Sequence, residues 1–182
     1  MSHLKITYAD AVLAIGTLPT LAPRPCATNI RVLTIDLIDK LTIVPSEQTA
    51  DLGFSGLVEQ DAVYALQTNV PWVNFANPGQ VPIAVPLWTR EEIAANVLLN
   101  AALKGCWDSE SNMRRAINAA LNVATPRMFR RVPGGLVGVR TFQPTDDPKV
   151  ILNHLRANYG RMTPLEKNGI GQTMVSRMDE LW

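Results

Sequence analysis

The stretch TREEIAANVLLNAALKGCWDSESNMRRAINAALNVATP, residues 89–126, carries the strongest helical pattern in the chain. It opens with a capping box, in which the Thr89 side chain accepts from a free backbone N–H and Glu92 reaches back to residue 89. Apolar residues then recur at helical spacing until Pro126 closes the pattern. Because glycine weakens a helix, the pattern predicts that this helix stops or bends at Gly105 and restarts at Trp107.

Two shorter helical patterns precede this stretch. Residues 8–18 predict a short helix with Thr7 as its N-cap. Residues 28–44 fit either a helix or a β-branched strand, and the length of the pattern and a cap at Thr28 favour the helix, which Pro45 ends. A third pattern follows a glycine-rich segment and consists of Leu57, Val58, Val63, Tyr64 and Leu66.

The segment QTNVPWVNFANPGQVPIAVPLW, residues 67–88, interrupts the helical patterns with four prolines. We expect an ordered loop anchored by Trp72, Phe75 and Trp88. It also marks the clearest internal boundary. The chain is therefore predicted to comprise a helical and proline-rich region, residues 1–85, and a helical lobe, residues 86–182.

A different pattern follows Pro126. The PGG turn and the alternating LVGVRTF predict a small β-hairpin or extended loop near residues 133–143. A helix is predicted next, with Thr145 or Asp146 as its cap, Pro148 in its first turn and a left-handed stop at Gly160. Its inward face is predicted to comprise Val150, Ile151, Leu155 and Tyr159. A second capping box, Thr163 to Glu166, opens a final helix.

Composition limits the classes of function. A hydrophobic fraction of 47% supports a packed core. The net charge is only +1, with 17 basic and 16 acidic residues, so any contact with RNA must come from local clustering. Two cysteines without metal or disulfide spacing indicate a reducing, cytoplasmic compartment. No apolar run approaches the roughly 18 residues of a membrane span, so no membrane partner is expected.

Few residues suggest chemistry. Cys106 and His154 would form a nucleophile and base only if the fold brought them together. The acidic runs at residues 108–110 and 145–147 precede helical patterns and are interpreted as caps, while PGGLVG lacks the lysine of a phosphate loop. We therefore predict no catalytic residue, no metal site, no cofactor and no small-molecule substrate.

One cluster of charge stands out, because acidic residues are absent from Asn112 to Thr145. Arginine suits phosphate binding and base stacking, and Phe129 and Phe142 are interleaved with the cluster. The alternative is a solvated face, with arginines that pair with carboxylates of a neighbouring subunit. The residues predicted to contact RNA or another polyanion are Arg114, Arg115, Arg127, Arg130, Arg131 and Arg140.

The order of these patterns carries a family resemblance. LWTREEIAANVLLNAALKGCWDSESNMRRAINAALN, then VATPRMFRR, then DDPKVILNHLRANYGRMTPLEKN resembles the Gag-like capsid region of copia-type LTR retrotransposons. In the first half, ATNIRVLTIDLIDKL, DLGFSGLVEQDAVYAL and VPWVNFANPG are similar too. The resemblance spans about Ala27 to the end. It implies a mainly α, multi-helix orthogonal bundle.

The resemblance also implies a structural protein that self-assembles, packages RNA and is not an enzyme. Without a zinc knuckle or a protease triplet, the chain would be the N-terminal part of a Gag, truncated at its C-terminus. The assembly surface implied for that end is Met174, Met178 and Trp182. Two alternatives stay open: a monomeric helical adaptor that binds a peptide in a groove near Trp72 and Trp88, and an enzyme with an unrecognised site at Cys106 and His154.

Overall fold

The computed structural model describes residues 5–49, 51–80, 88–133 and 139–160, with backbone alone at residues 132, 133, 139 and 140. The fold is mainly α-helical, as predicted. In these ranges the helices are α1 (Tyr8–Ile15), α2 (Ala27–Thr42), α3 (Asp61–Thr68), α4 (Arg90–Ala124) and α5 (Pro148–Tyr159). Two short strands, β1 (Arg131–Pro133) and β2 (Val139–Thr141), pair antiparallel with Arg131 opposite Thr141, which confirms the predicted hairpin.

The predicted interruption at Gly105 is wrong, because α4 runs without a break for 35 residues. A glycine in a helix interior costs only about 1 kcal/mol relative to alanine. Breaking the helix would cost several backbone hydrogen bonds, and good helix-forming residues lie on both sides. The neighbourhood of Gly105 does not require glycine either, since a Cβ built there meets no atom within 4 Å.

The N-cap predicted at Thr7 and the capping box predicted at Thr89 and Glu92 are confirmed, and the structure adds a capping box to α1 as well. Thr7 Oγ1 accepts from the backbone N–H of Asp10 at 3.2 Å, and Thr89 Oγ1 accepts from that of Glu92 at 3.2 Å. In return, the carboxylate of Asp10 accepts from the Thr7 backbone N–H at 3.1 Å, and that of Glu92 accepts from the Thr89 backbone N–H at 2.7 Å. These two helix starts follow from residues three positions apart, so the sequence suffices to place them.

Two other helix starts differ from the prediction. The N-cap of α2 is Cys26 rather than Thr28, and the Cys26 backbone N–H donates to Asn29 Oδ1 at 3.3 Å. The N-cap of α5 is Asp147, whose carboxylate accepts from the backbone N–H of Lys149 at 2.9 Å. Pro148 then takes the first helical position, where its missing N–H costs nothing. The cap therefore falls immediately before Pro148, not at Thr145 or Asp146.

The ends and faces of the shorter helices also differ from the predictions. Gly160 follows α5 with a φ of −81°, so it is not a left-handed stop. Val150 is exposed, because α5 packs through Ile151, Leu152 and Leu155. Leu66 of α3 is exposed as well. The predicted helix from Thr163 onward lies outside the described residues.

The core surrounds the C-terminal half of α4. Helices α1 and α5 both contact α4, and α2 contacts both α1 and α5. One hydrophobic cluster combines residues of all four helices, among them Ile15, Leu33, Leu37, Met113, Ile117, Leu121, Ile151 and Leu155. The cluster thus draws on both sides of the boundary predicted at residue 85, and the division into two regions stays a prediction.

Hydrogen bonds hold connecting segments onto the same half of α4. Asn118, which is fully buried, donates its side-chain amide to the carbonyls of Gln143 at 3.2 Å, Pro144 at 3.0 Å and Asp146 at 2.8 Å. The backbone N–H of Leu21 donates to the carbonyl of Ala124 at 2.8 Å. The segments before α2 and before α5 are therefore fixed against one helix.

We predict that Gly56→Ala destabilises the protein by about 1–3 kcal/mol. A Cβ at Gly56 would overlap the buried ring of Trp72, which packs directly on this glycine. The matched control is Gly105→Ala, where a Cβ meets open space and helix propensity predicts a gain of up to about 1 kcal/mol. Urea unfolding of the two variants measures both changes, and equal effects would contradict this packing.

Candidate functional site

A network of hydrogen bonds attaches the loop before α4 to the middle of that helix. The buried Glu110 carboxylate accepts from the Phe75 backbone N–H at 3.0 Å and from Arg114 Nη2 at 2.9 Å. Arg114 Nη2 also donates to Asn74 Oδ1 at 3.0 Å, and the Trp72 indole N–H donates to the same oxygen at 3.0 Å. This ordered attachment agrees with the predicted anchoring by Trp72 and Phe75.

Trp72 does not line an exposed groove. Its side chain is 8% exposed, and its ring lies edge-on to Tyr64 at 5.7 Å and tilted against Phe54 at 6.2 Å between centroids. Trp88, half-buried, immediately precedes the cap of α4. The structure therefore uses Trp72 as a core residue, which removes it from the groove that the adaptor alternative expects.

The six arginines of the predicted polyanion cluster differ in their surroundings. The guanidinium of Arg114 is hydrogen-bonded to Glu110 and Asn74. Arg130 is half-buried and donates from Nε to the carbonyl of Thr125 at 2.7 Å. The guanidinium of Arg115 lies over the Tyr8 ring at 5.0 Å but stays exposed.

Arg127 and Arg131 are exposed, and the side chain of Arg140 lies outside the described residues. Among the described side chains, Arg115, Arg127 and Arg131 are thus the members that face solvent. Their contact with RNA stays a prediction. The contact of Arg114 with Asn74 could not be recognised from the sequence, because the two residues are 40 positions apart.

Cys106 and His154 have separate neighbours. Cys106 lines a small cavity of about 100 Å³ with Pro45, Glu47 and Phe75. Burial, reinforced by the Glu47 carboxylate, raises the pKa of its thiol, which disfavours the thiolate that a nucleophile needs. His154 packs edge-on against Phe142 at 6.2 Å and Tyr159 at 5.9 Å. The cavity beside Cys106 does not include His154.

The N-terminal part of α4 is largely exposed from Arg90 to Lys104, whereas Gly105 to Asp108 are half-buried. The first buried residue of this helix is Ser109, so residues 90–108 extend for about 28 Å without one. Their exposed apolar side chains are Val97 at 43%, Leu98 at 72%, Leu99 at 58% and Leu103 at 42%. The helical pattern of residues 89–126 could not show that these side chains are left exposed, because helical spacing does not show what packs on a helix.

Two further predictions concern the assembly surface and metal binding. Met174, Met178 and Trp182, the predicted assembly surface, lie outside the described residues. Over the ranges that the structure describes, no group of three or more histidine, cysteine, aspartate or glutamate side chains could hold a metal ion.

Comparisons with known proteins do not identify a family. No family model, no curated protein and no solved structure matches the chain. Within the described ranges, none of the helices has the length and hydropathy that crossing a bilayer requires.

We predict that acidification below about pH 7 lowers the free energy of unfolding through His154. Burial lowers the pKa of its imidazole below 6.5, so the unfolded chain gains a proton where the folded chain stays neutral. Stability should fall as the pH drops from the unfolded pKa to the folded one. His154→Gln should remove this part of the slope in urea titrations carried out from about pH 7 downward.

Glu59→Gln is the control for this measurement. Burial raises the pKa of the Glu59 carboxyl, so its contribution to stability decreases as the pH rises, which is the opposite sense. An unchanged slope in His154→Gln would show that the imidazole titrates equally in both states.

Proposed function

We propose that this chain is a self-assembling structural protein of the Gag-like capsid kind, located in the cytoplasm and acting through helical surfaces rather than through chemistry. The observation that carries the proposal is the exposed half of α4. Its leucines leave apolar surface in contact with water, although the same helix buries its other half in the core. Exposed apolar surface on a rigid element is typical of a protein interface.

The surrounding architecture supports a building block. The C-terminal half of α4 is held by α1, α5 and the connecting segments, so its exposed half projects from a fixed base. Both halves belong to one continuous helix, which keeps the direction of the projection constant. Repeated weak contacts between rigid units produce closed or lattice assemblies.

A weak contact with RNA completes the proposal. Arg115, Arg127 and Arg131 are exposed and belong to a segment without acidic residues. A net charge of +1 is too small to support strong non-specific binding of RNA. The affinity for RNA should therefore depend on these few arginines and decrease as the salt concentration rises.

We predict that the purified chain forms oligomers whose average mass rises with protein concentration. Light scattering or mass photometry across a concentration series measures this directly. Association should persist at high salt if apolar surface drives it, because salt screens charges without weakening the hydrophobic effect. A monomer at every concentration would contradict self-assembly and favour the adaptor, in which the same face binds a different protein.

We predict that Arg127→Glu combined with Arg131→Glu weakens the binding of single-stranded RNA. The slope of log affinity against log salt concentration should fall by about 0.7 for each phosphate that the variant no longer binds. The matched control is Arg24→Glu with Arg31→Glu, two exposed arginines outside the cluster. Fluorescence anisotropy at several salt concentrations measures the slopes, and an equal decrease in the two double variants would refute a specific role for the cluster.

A further inference from the structure

The exposed half of α4 contains a segment that reads similarly from either end. This is EIAANVLLNAALK, residues 92–104, with Leu98 at its centre. Residues at equal distance on the two sides of Leu98 have matching chemistry, except at the ends, where the charges are opposite. The pairs are Val97 with Leu99, Asn96 with Asn100, Ala95 with Ala101, Ala94 with Ala102, Ile93 with Leu103, and Glu92 with Lys104.

The helix turns the centre of this segment toward solvent. Residues three and four positions from Leu98, in both directions, are alanines and share its face. Leu98 is 72% exposed between them. Asn96 and Asn100 lie on the opposite side, and both are half-buried, as is Ala102 on the Leu98 face. The exposed face therefore presents one large side chain between pairs of small ones.

The side of α4 that carries Leu98 is buried in the C-terminal half of the helix. Leu98 lies about three turns before Ser109 and about five turns before Ala116, so all three share one side of α4. Ser109 and Ala116 are buried, and α1 packs on this half of the helix. The face that the core covers at one end of α4 thus continues uncovered at the other end.

We propose that the occupant of this face is the same segment of a second copy of the chain, antiparallel to the first, with a two-fold axis at Leu98. The inference deepens the proposed function and rests on it, since it names the contact through which copies associate. A two-fold interface is self-complementary: where residue i of one copy contacts residue j of the other, residue j of the first copy contacts residue i of the second. The symmetric sequence meets that condition: Leu98 faces Leu98, and Ala94 faces Ala102.

Charge selects the antiparallel direction. Glu91 precedes the segment, Glu92 begins it, and Lys104 ends it about 18 Å after Glu92 along the helix. In an antiparallel pair the acidic first turn of each copy lies level with Lys104 of the other. A parallel pair would place like charges and like ends of the helix dipoles side by side.

The pairing should be weak and reversible. A face of fewer than four helical turns buries less than the roughly 1,600 Å² of a standard interface. Such a contact forms at high local concentration, which suits an assembly that has further contacts.

The experiment replaces Leu98 with opposite charges. Leu98→Glu and Leu98→Lys each place two like charges on the two-fold axis, so each protein alone should need at least about tenfold higher concentration to associate. An equimolar mixture should recover association, because unlike charges then meet. Leu13→Glu, at a residue 80% exposed on α1, is the matched control and should associate as the unchanged protein does.

Cross-linking tests the direction of pairing. In a background with Cys26→Ser and Cys106→Ser, Ala94→Cys and Ala102→Cys should form a disulfide with each other when the two proteins are mixed. Neither should cross-link efficiently with itself, since equivalent residues are about 12 Å apart along the helix in the antiparallel pair. Cross-linking of Ala94→Cys only with itself would overturn the antiparallel arrangement.

The outcomes separate this inference from the proposed function. If the unchanged protein associates and the Leu98→Glu protein associates equally well, the contact lies elsewhere and only this inference fails. If the unchanged protein stays monomeric throughout, self-assembly and this contact fail together. Weaker association of each charged variant, with recovery in the mixture, supports both.

Discussion

The buried C-terminal half of α4 is the constraint on which the rest of the structure depends. Segments from distant parts of the chain are tied to it, since the Ile6 backbone N–H donates to Ser109 and Asn112 donates to the Ile6 carbonyl. The loop before α4 is tied through Glu110, and the segment before α5 through Asn118. These contacts hold the helix at fixed points, so its direction is set before any partner binds.

A consequence of this constraint is that apolar side chains in the N-terminal half of α4 stay exposed to solvent. The helix continues through Gly105 without a break, which carries Leu98 and Leu99 beyond the residues that cover Ser109 and Met113. A break at Gly105 would have let the first half fold back onto the core. The backbone hydrogen bonds that keep α4 continuous outweigh the small cost of Gly105, and the surface around Leu98 is exposed as a result.

Local patterns predicted the parts of the fold that depend on local physics. The N-cap at Thr7 and the capping box of Thr89 with Glu92 were predicted correctly, because the groups that cap a helix lie within its first turn. The hairpin followed from its turn and its alternation. Thr28, Gly105 and Gly160 were misinterpreted because several nearby choices cost similar energies and packing selects among them. Glu110 and Arg114 lie four residues apart on one helix, a spacing at which ion pairs form locally. The contact of Arg114 with Asn74 and the exposure of Leu98 could not be predicted, since both depend on which distant segments meet α4.

The most direct test is hydrogen–deuterium exchange along α4, measured at increasing protein concentration. It tests whether the C-terminal half of this helix belongs to the core while the N-terminal half becomes covered only when a second copy of the chain binds. We expect the amides of residues 109–124 to be protected at every concentration, whereas those of residues 93–106 should exchange quickly when dilute and slow as association proceeds. Equal protection of both halves at high dilution, or exchange of residues 93–106 that never changes with concentration, would contradict this division of the helix.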